Sequence, residues 1–130
     1  MLISRHVITD MLTHARDDAP RECCGLLIGK GGSVVRSVRA RNLDTKATRY
    51  LIDPEDHFAA IRAARAEGLD VVGAYHSHPS SAAIPSPTDI AEANSGSDFL
   101  YVIVSLVNED VRAYRIDSGV CKPLALSPEP

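Results

Sequence analysis

The chain has 130 residues, 45% hydrophobic and 24% charged, with a formal net charge of -3. That is one domain's worth of chain, able to bury roughly 65–70% of its unfolded surface, and it carries no basic footprint for nucleic acid or an anionic membrane. No stretch approaches the ~18 apolar residues of a bilayer span, no apolar signal segment follows Arg5 and His6, and the odd set of Cys23, Cys24 and Cys121 fits a reducing cytoplasm better than a disulfide framework.

Val7, Ile8, Met11, Leu12 and Ala15 recur at helical spacing, so a first helix is expected from a Ser4 cap to about Asp17. The continuously apolar run Cys23–Gly29 reads as a strand buried on both faces. Lys30-Gly31-Gly32 is a hairpin signal into a strand over Ser33–Ala40, where Arg36, Arg39 and Arg41 read as a solvated face. A short strand is expected at Tyr50-Leu51-Ile52. Asp53 then caps a helix with Pro54 at its first position, running to Glu67 and stopping at Gly68. Val71–His76 is again strand-like. Phe99–Val107 and Val111–Ile116 form a hairpin about Asn108-Glu109-Asp110, and a last strand includes Cys121–Leu126. The fold class is α/β with a mixed sheet flanked by helices; residues 1–126 make the domain and 127–130 a flexible tail.

Chemistry concentrates in the run from Val71 to Asp89. His76 and His78 lie two apart at a strand end, so both imidazoles share one face, while Pro79 stops the ladder. Ser86-Pro87-Thr88-Asp89 has the grammar of a helix start, with a cap, a proline and a carboxylate that projects back towards the helix origin. Ser86 and Asp89 could be only a cap and a dipole partner. Joined to His76 and His78, Asp89 instead completes three ligands with no fourth, the form of an open catalytic zinc site. Cys23 and Cys24 read as apolar packing rather than extra ligands, and His6, His14 and His57 as surface or packing residues, with His57 the one to check against the site.

The spacing His76-Ser77-His78, seven residues, Ser86, two residues, Asp89 resembles the JAMM motif of the MPN-domain (MPN+) zinc metalloproteases without gap or substitution. Glu22, in Pro20-Arg21-Glu22-Cys23-Cys24-Gly25, is similar to the glutamate that this family places before a buried strand. The resemblance implies a single MPN (JAB)-like domain of cytidine-deaminase-like architecture, with a mixed, mostly antiparallel sheet. It implies one zinc ion held by His76, His78 and Asp89 with a catalytic water. Glu22 would be the proton shuttle and Ser86 the oxyanion donor, a role that competes with capping for its hydroxyl. Asp53 and Glu55 are the substitute acids should Glu22 be an exposed charge.

The implied reaction is hydrolysis of a peptide or isopeptide bond after the C-terminal Gly-Gly of a ubiquitin-like or sulfur-carrier protein. The Phe99 strand follows within ten residues of Asp89, a short connection that resembles the compact prokaryotic members. Nucleic acid and membranes are not expected partners, and a homo-oligomer stays open. The other readings are a non-catalytic MPN scaffold, a zinc hydrolase of another amide, and a cysteine hydrolase on Cys24. A zinc deaminase would need His-x-Glu with a later Pro-Cys-x-x-Cys, and a helical zincin His-Glu-x-x-His; the sequence has neither.

Overall fold

In the computed structural model, which describes residues 1–129, the chain order is β1 (Leu2–Ser4), α1 (Arg5–Asp18), β2 (Cys24–Lys30), β3 (Ser33–Ala40), α2 (Pro54–Ala66), β4 (Asp70–His78), α3 (Pro87–Glu92), β5 (Leu100–Ser105), β6 (Asp110–Asp117), β7 (Val120–Leu124) and β8 (Ser127–Glu129). The strands form one sheet in the order β7-β6-β5-β4-β2-β3-β1-β8. β4 pairs antiparallel with β2 and parallel with β5; β2–β3, β5–β6 and β6–β7 are antiparallel, and β1 is parallel to both β3 and β8. The strand that carries both histidines is therefore central, with its backbone groups held on either side.

Alternation along the central strands decides the layers. Leu27, Tyr75, Val102 and Val104 point to one face, where they meet Ile3 and the α1 residues Val7, Met11 and Ala15. Leu26, Ile28 and Ala74 point to the other and meet Ala60 and Ala64 of α2. Further along that second face, Ala83, Tyr101, Ile103, Tyr114 and Ile116 pack with Ile90 of α3. Val7 and Met11 are fully buried, each contributing about 1.5–3 kcal/mol relative to exposure. At Gly25 a β-carbon would collide with the Tyr75 ring and the Val38 carbonyl, so only glycine lets that ring lie flat beside β2.

The helix expectations hold closely. Asp53 Oδ1 accepts from the Glu55 N–H at 2.9 Å, Pro54 opens α2, and Gly68 ends the turn with φ of 72°. Ser4 stands at the α1 cap position, but its side chain makes no capping bond. It ends β1, a strand of three residues too short to show alternation in sequence. No strand forms at 50–52: Asn42 and Ile52 make an isolated bridge, and the Leu51 N–H donates to the Asn42 side chain instead of a ladder. The tail expected to be flexible from residue 127 is a strand over Ser127–Glu129, parallel to β1, where it satisfies the outer edge of that strand; residue 130 lies outside the described residues. Arg36, Arg39 and Arg41 are exposed and ion-paired with Glu67, Asp17 and the Asp53–Asp56 group, solvent-screened contacts that add little to stability.

Candidate metal centre

β4 delivers His76 and His78 to its end on one face, both buried, and Ser77 to the other. The Ser77 Oγ accepts from the Cys23 N–H at 2.8 Å while the Ser77 N–H donates to the Cys23 carbonyl at 3.1 Å. That two-way clamp fixes the start of β2 against β4, and with it Glu22. The Glu22 backbone is held from the other side, its N–H donating to Ala47 and its carbonyl accepting from the Asn42 amide. Ser77 is thus a structural clamp with no role for attack.

The α3 start brings the third group. Ser86 and Asp89 form a reciprocal capping box: the Asp89 N–H donates to Ser86 Oγ at 3.0 Å, and the Ser86 N–H to Asp89 Oδ2 at 2.9 Å. The same Oδ2 lies 3.1 Å from His76 Nε2 and 3.2 Å from His78 Nε2, and the two Nε2 atoms are 3.2 Å apart. His78 Nδ1 is 2.8 Å from the Ala82 carbonyl, which can only accept, so Nδ1 carries the proton and a neutral ring turns its Nε2 lone pair inward.

Three acceptor atoms this close repel one another unless a proton or a cation lies among them. A tetrahedral ion bound at about 2.0 Å has ligand atoms about 3.3 Å apart, close to the spacing here, and a two-nitrogen, one-oxygen set suits zinc. The residues fit the metal that the motif implies. Glu22 offers a second carboxylate, with an oxygen inside the 4.8 Å group formed with both histidines. Asp89 Oδ2 lies within 3.2 Å of both rings, whereas Glu22 Oε1 is buried without a hydrogen-bond partner.

The electrostatics divide the two acids. Burial pushes Glu22 up to about 7; His78 opposes that push, and Asp89 and Asp44 add to it. Its Oε1 is buried without a hydrogen-bond partner, a proton acceptor poised near neutrality. Burial acts on Asp89 in the same direction, but in the metal-free site the adjoining histidines, when they carry a proton towards it, and the Ser86 N–H win and hold its carboxyl far below the usual range. Burial lowers His76, whereas for His78 burial is outweighed by hydrogen bonding to Asp89 and Ala82, which raises it.

A model of the prokaryotic homologs of the JAB domain matches residues 4–117. The chain belongs to that family. It is 34% identical over 124 residues to the CysO-cysteine peptidase of Mycobacterium tuberculosis, covering 92% of this chain and 84% of that protein. It is also 34% identical over 120 residues to a probable TtuB-protein conjugate cleaving protease of Thermus thermophilus, covering 92% and 78%. The solution structure of protein DSY2949 from Desulfitobacterium hafniense superposes with a TM-score of 0.90 at 29% identity, over 98% of this chain and 92% of that one. A compact JAB-type α/β domain with a mixed sheet is the fold expected from the motif.

Around this JAB-family centre are groups that sequence reasoning did not find. The Tyr50 ring stacks on His76 with centroids 4.2 Å apart and an 18° interplanar angle. Tyr50 is also one wall of a groove of about 530 Å³ that includes Arg49, Ile52, His57, Phe99 and Tyr101. His57 therefore borders the groove, while His14 is buried against the Tyr75 hydroxyl at 2.7 Å and His6 is exposed. Arg49 joins the 42–52 loop to α3 through Glu92 at 2.8 Å, one helical turn from Asp89. Cys23 and Cys24 are buried free thiols pushed up by burial, which suits packing and not nucleophilic attack. Asp53 caps α2 and pairs with Arg41, so it is no substitute for Glu22.

Proposed function

We propose that this chain is a zinc-dependent hydrolase that cleaves the peptide or isopeptide bond following the C-terminal Gly-Gly of a ubiquitin-like or sulfur-carrier protein. The observation that carries the reading is the convergence of His76 Nε2, His78 Nε2 and Asp89 Oδ2 within 3.1–3.2 Å, beside a glutamate pushed up to about 7. The names of the two relatives, a peptidase of CysO-cysteine and a protease of TtuB-protein conjugates, support a carrier protein joined at its end to an amine.

His76, His78 and Asp89 hold the metal, which when bound supplies an acidified water and a Lewis acid for the scissile carbonyl. Glu22 takes the proton of the attacking water and returns it to the leaving amine. Ser86 contributes its O–H to the developing oxyanion. Capping and this role do not compete as expected from sequence: the hydroxyl accepts from the Asp89 N–H through a lone pair, and among the described residues no acceptor takes its proton. The groove bordered by Tyr50 suits an extended tail, and a narrow approach past that ring suits glycine at the scissile bond. No helix among the described residues is long and apolar enough to cross a membrane, and the three free cysteines support a reducing, cytoplasmic setting.

Metal analysis should find about one zinc per chain, lost in His78→Ala. Incubation with a carrier protein extended beyond its Gly-Gly end should give cleavage that a chelator and Glu22→Ala both abolish. A metal-free active protein would end the metalloenzyme reading; zinc binding without cleavage of such conjugates would shift it to another amide substrate or to a scaffold.

A further inference from the structure

Three consecutive carbonyls in the loop between β4 and α3 are each taken by a side chain from a different strand. Ser105 Oγ of β5 donates to the Ser81 carbonyl at 2.6 Å, His78 Nδ1 of β4 to Ala82 at 2.8 Å, and the Tyr114 hydroxyl of β6 to Ala83 at 2.5 Å. The register explains why they meet: His78 pairs with Ser105 across β4–β5, and β6 lies on the far side of β5. Ser105 is fully buried at the end of an otherwise apolar strand, and Tyr114 is 8% exposed with its hydroxyl turned inward. Packing alone would be served by alanine and phenylalanine. A buried hydroxyl costs free energy unless it is bonded, so its presence at both positions calls for a reason beyond packing.

We propose that Ser105 and Tyr114 are positioning residues for metal binding: by fixing the carbonyls on either side of Ala82 they hold the Ala82 carbonyl against His78 Nδ1, which keeps the ring in the tautomer and orientation that present Nε2. The inference rests on the proposed role of His78 as a ligand. Within the loop the Ala82 carbonyl also accepts from the Ile84 N–H at 2.8 Å, so the two hydroxyls set where that small turn sits relative to His78, and Ala83, buried beside Tyr114, completes the anchor. Outer partners of a metal-bound histidine fix its tautomer and raise its basicity, and their loss typically weakens metal binding about 10–100-fold.

The test is zinc affinity, by competition with a chromogenic chelator, for the unaltered protein, Ser105→Ala, Tyr114→Phe and the double variant. Each single change should raise the zinc dissociation constant about tenfold and the double change more, with Ser105→Thr restoring it. Urea unfolding of the metal-free proteins runs alongside, and in 15N-labelled protein the His78 Nδ1–H resonance should be protected from exchange only while both hydroxyls are present. Tyr114→Phe keeps the ring and removes one oxygen, so it decides the matter alone if Ser105→Ala does not fold. Variants that unfold earlier yet bind zinc as tightly as the unaltered protein would overturn the proposal and leave both hydroxyls as ordinary packing. An unaltered protein that binds no zinc would overturn the metal centre itself, and this inference with it.

Discussion

Replacing Glu22 by glutamine should abolish hydrolysis and, in the metal-free protein above neutrality, increase stability. The reason is linkage. In the unfolded chain the carboxyl titrates near 4.5, and in the folded protein burial raises it to about 7, so the folded state holds the proton more tightly. The stability associated with that proton is fully present below 4.5 and is lost as pH rises through 7. Integrating the difference from about pH 5 to about pH 8 gives a loss of about 2.5 kcal/mol. Glutamine has the same shape and no proton to lose. Glu22→Gln should match the parent near pH 5 and exceed it by about 2.5 kcal/mol near pH 8, equivalent to about 10 °C in melting temperature for a domain of this size. Urea unfolding of both proteins in excess chelator measures this, because His76, His78 and Asp89 titrate in both and largely cancel. Saturating zinc should shrink the gap, since a nearby cation favours the carboxylate. A difference independent of pH, or a less stable variant near pH 8, would refute a glutamate held near neutrality by burial.

Ser86→Gly separates the two uses of one hydroxyl: glycine is a tolerable cap, so stability should fall by only a few tenths of a kcal/mol, while kcat drops by about 100-fold or more with KM little changed. Tyr50→Phe should leave zinc affinity intact, and Tyr50→Ala should weaken it about 2–10-fold, the worth of one aromatic stack, as read by chelator competition. Asn42 donates to the carbonyls of Glu22 and Arg49 and accepts from the N–H groups of Asp44 and Leu51. Asn42→Asp loses both donors and sets a carboxylate against two carbonyls, which should cost about 2–4 kcal/mol in urea unfolding and lower kcat by displacing Glu22.

The legible parts of this molecule are those whose partners lie close in sequence. Helix α2 announces itself through Asp53, Pro54 and Gly68, all local signals, and His76, His78, Ser86 and Asp89 fall within fourteen positions whose spacing alone suggests convergence. Glu22 needed the resemblance, because its place beside the histidines depends on the antiparallel register that sets Cys24 opposite His76. The segment at Tyr50 misled for a physical reason. Its residues have strand character, but the Arg49 carbonyl and the Leu51 N–H bond to the Asn42 side chain, so the backbone pairing with residues 41–43 stays a single bridge, and the aromatic ring stacks on His76.

What stayed hidden has a common cause. Ser105 and Tyr114 act on His78 through backbone carbonyls of residues 81 and 83, and a carbonyl has no letter in a sequence. Tyr114 is 31 positions from Ala83, and no spacing rule joins them until β5 and β6 are laid beside β4. A buried serine ending the run Leu100–Ser105 was the one available sign: every other residue there fits an apolar interior, with Tyr101 carrying its own hydroxyl to the Ser95 N–H. A polar side chain in such a strand must have a partner. The Val107 N–H, two residues on, is one partner of Ser105 Oγ; the other, the Ser81 carbonyl, leads from β5 to the loop, from the loop to His78, and from His78 to the point where its Nε2 meets Asp89.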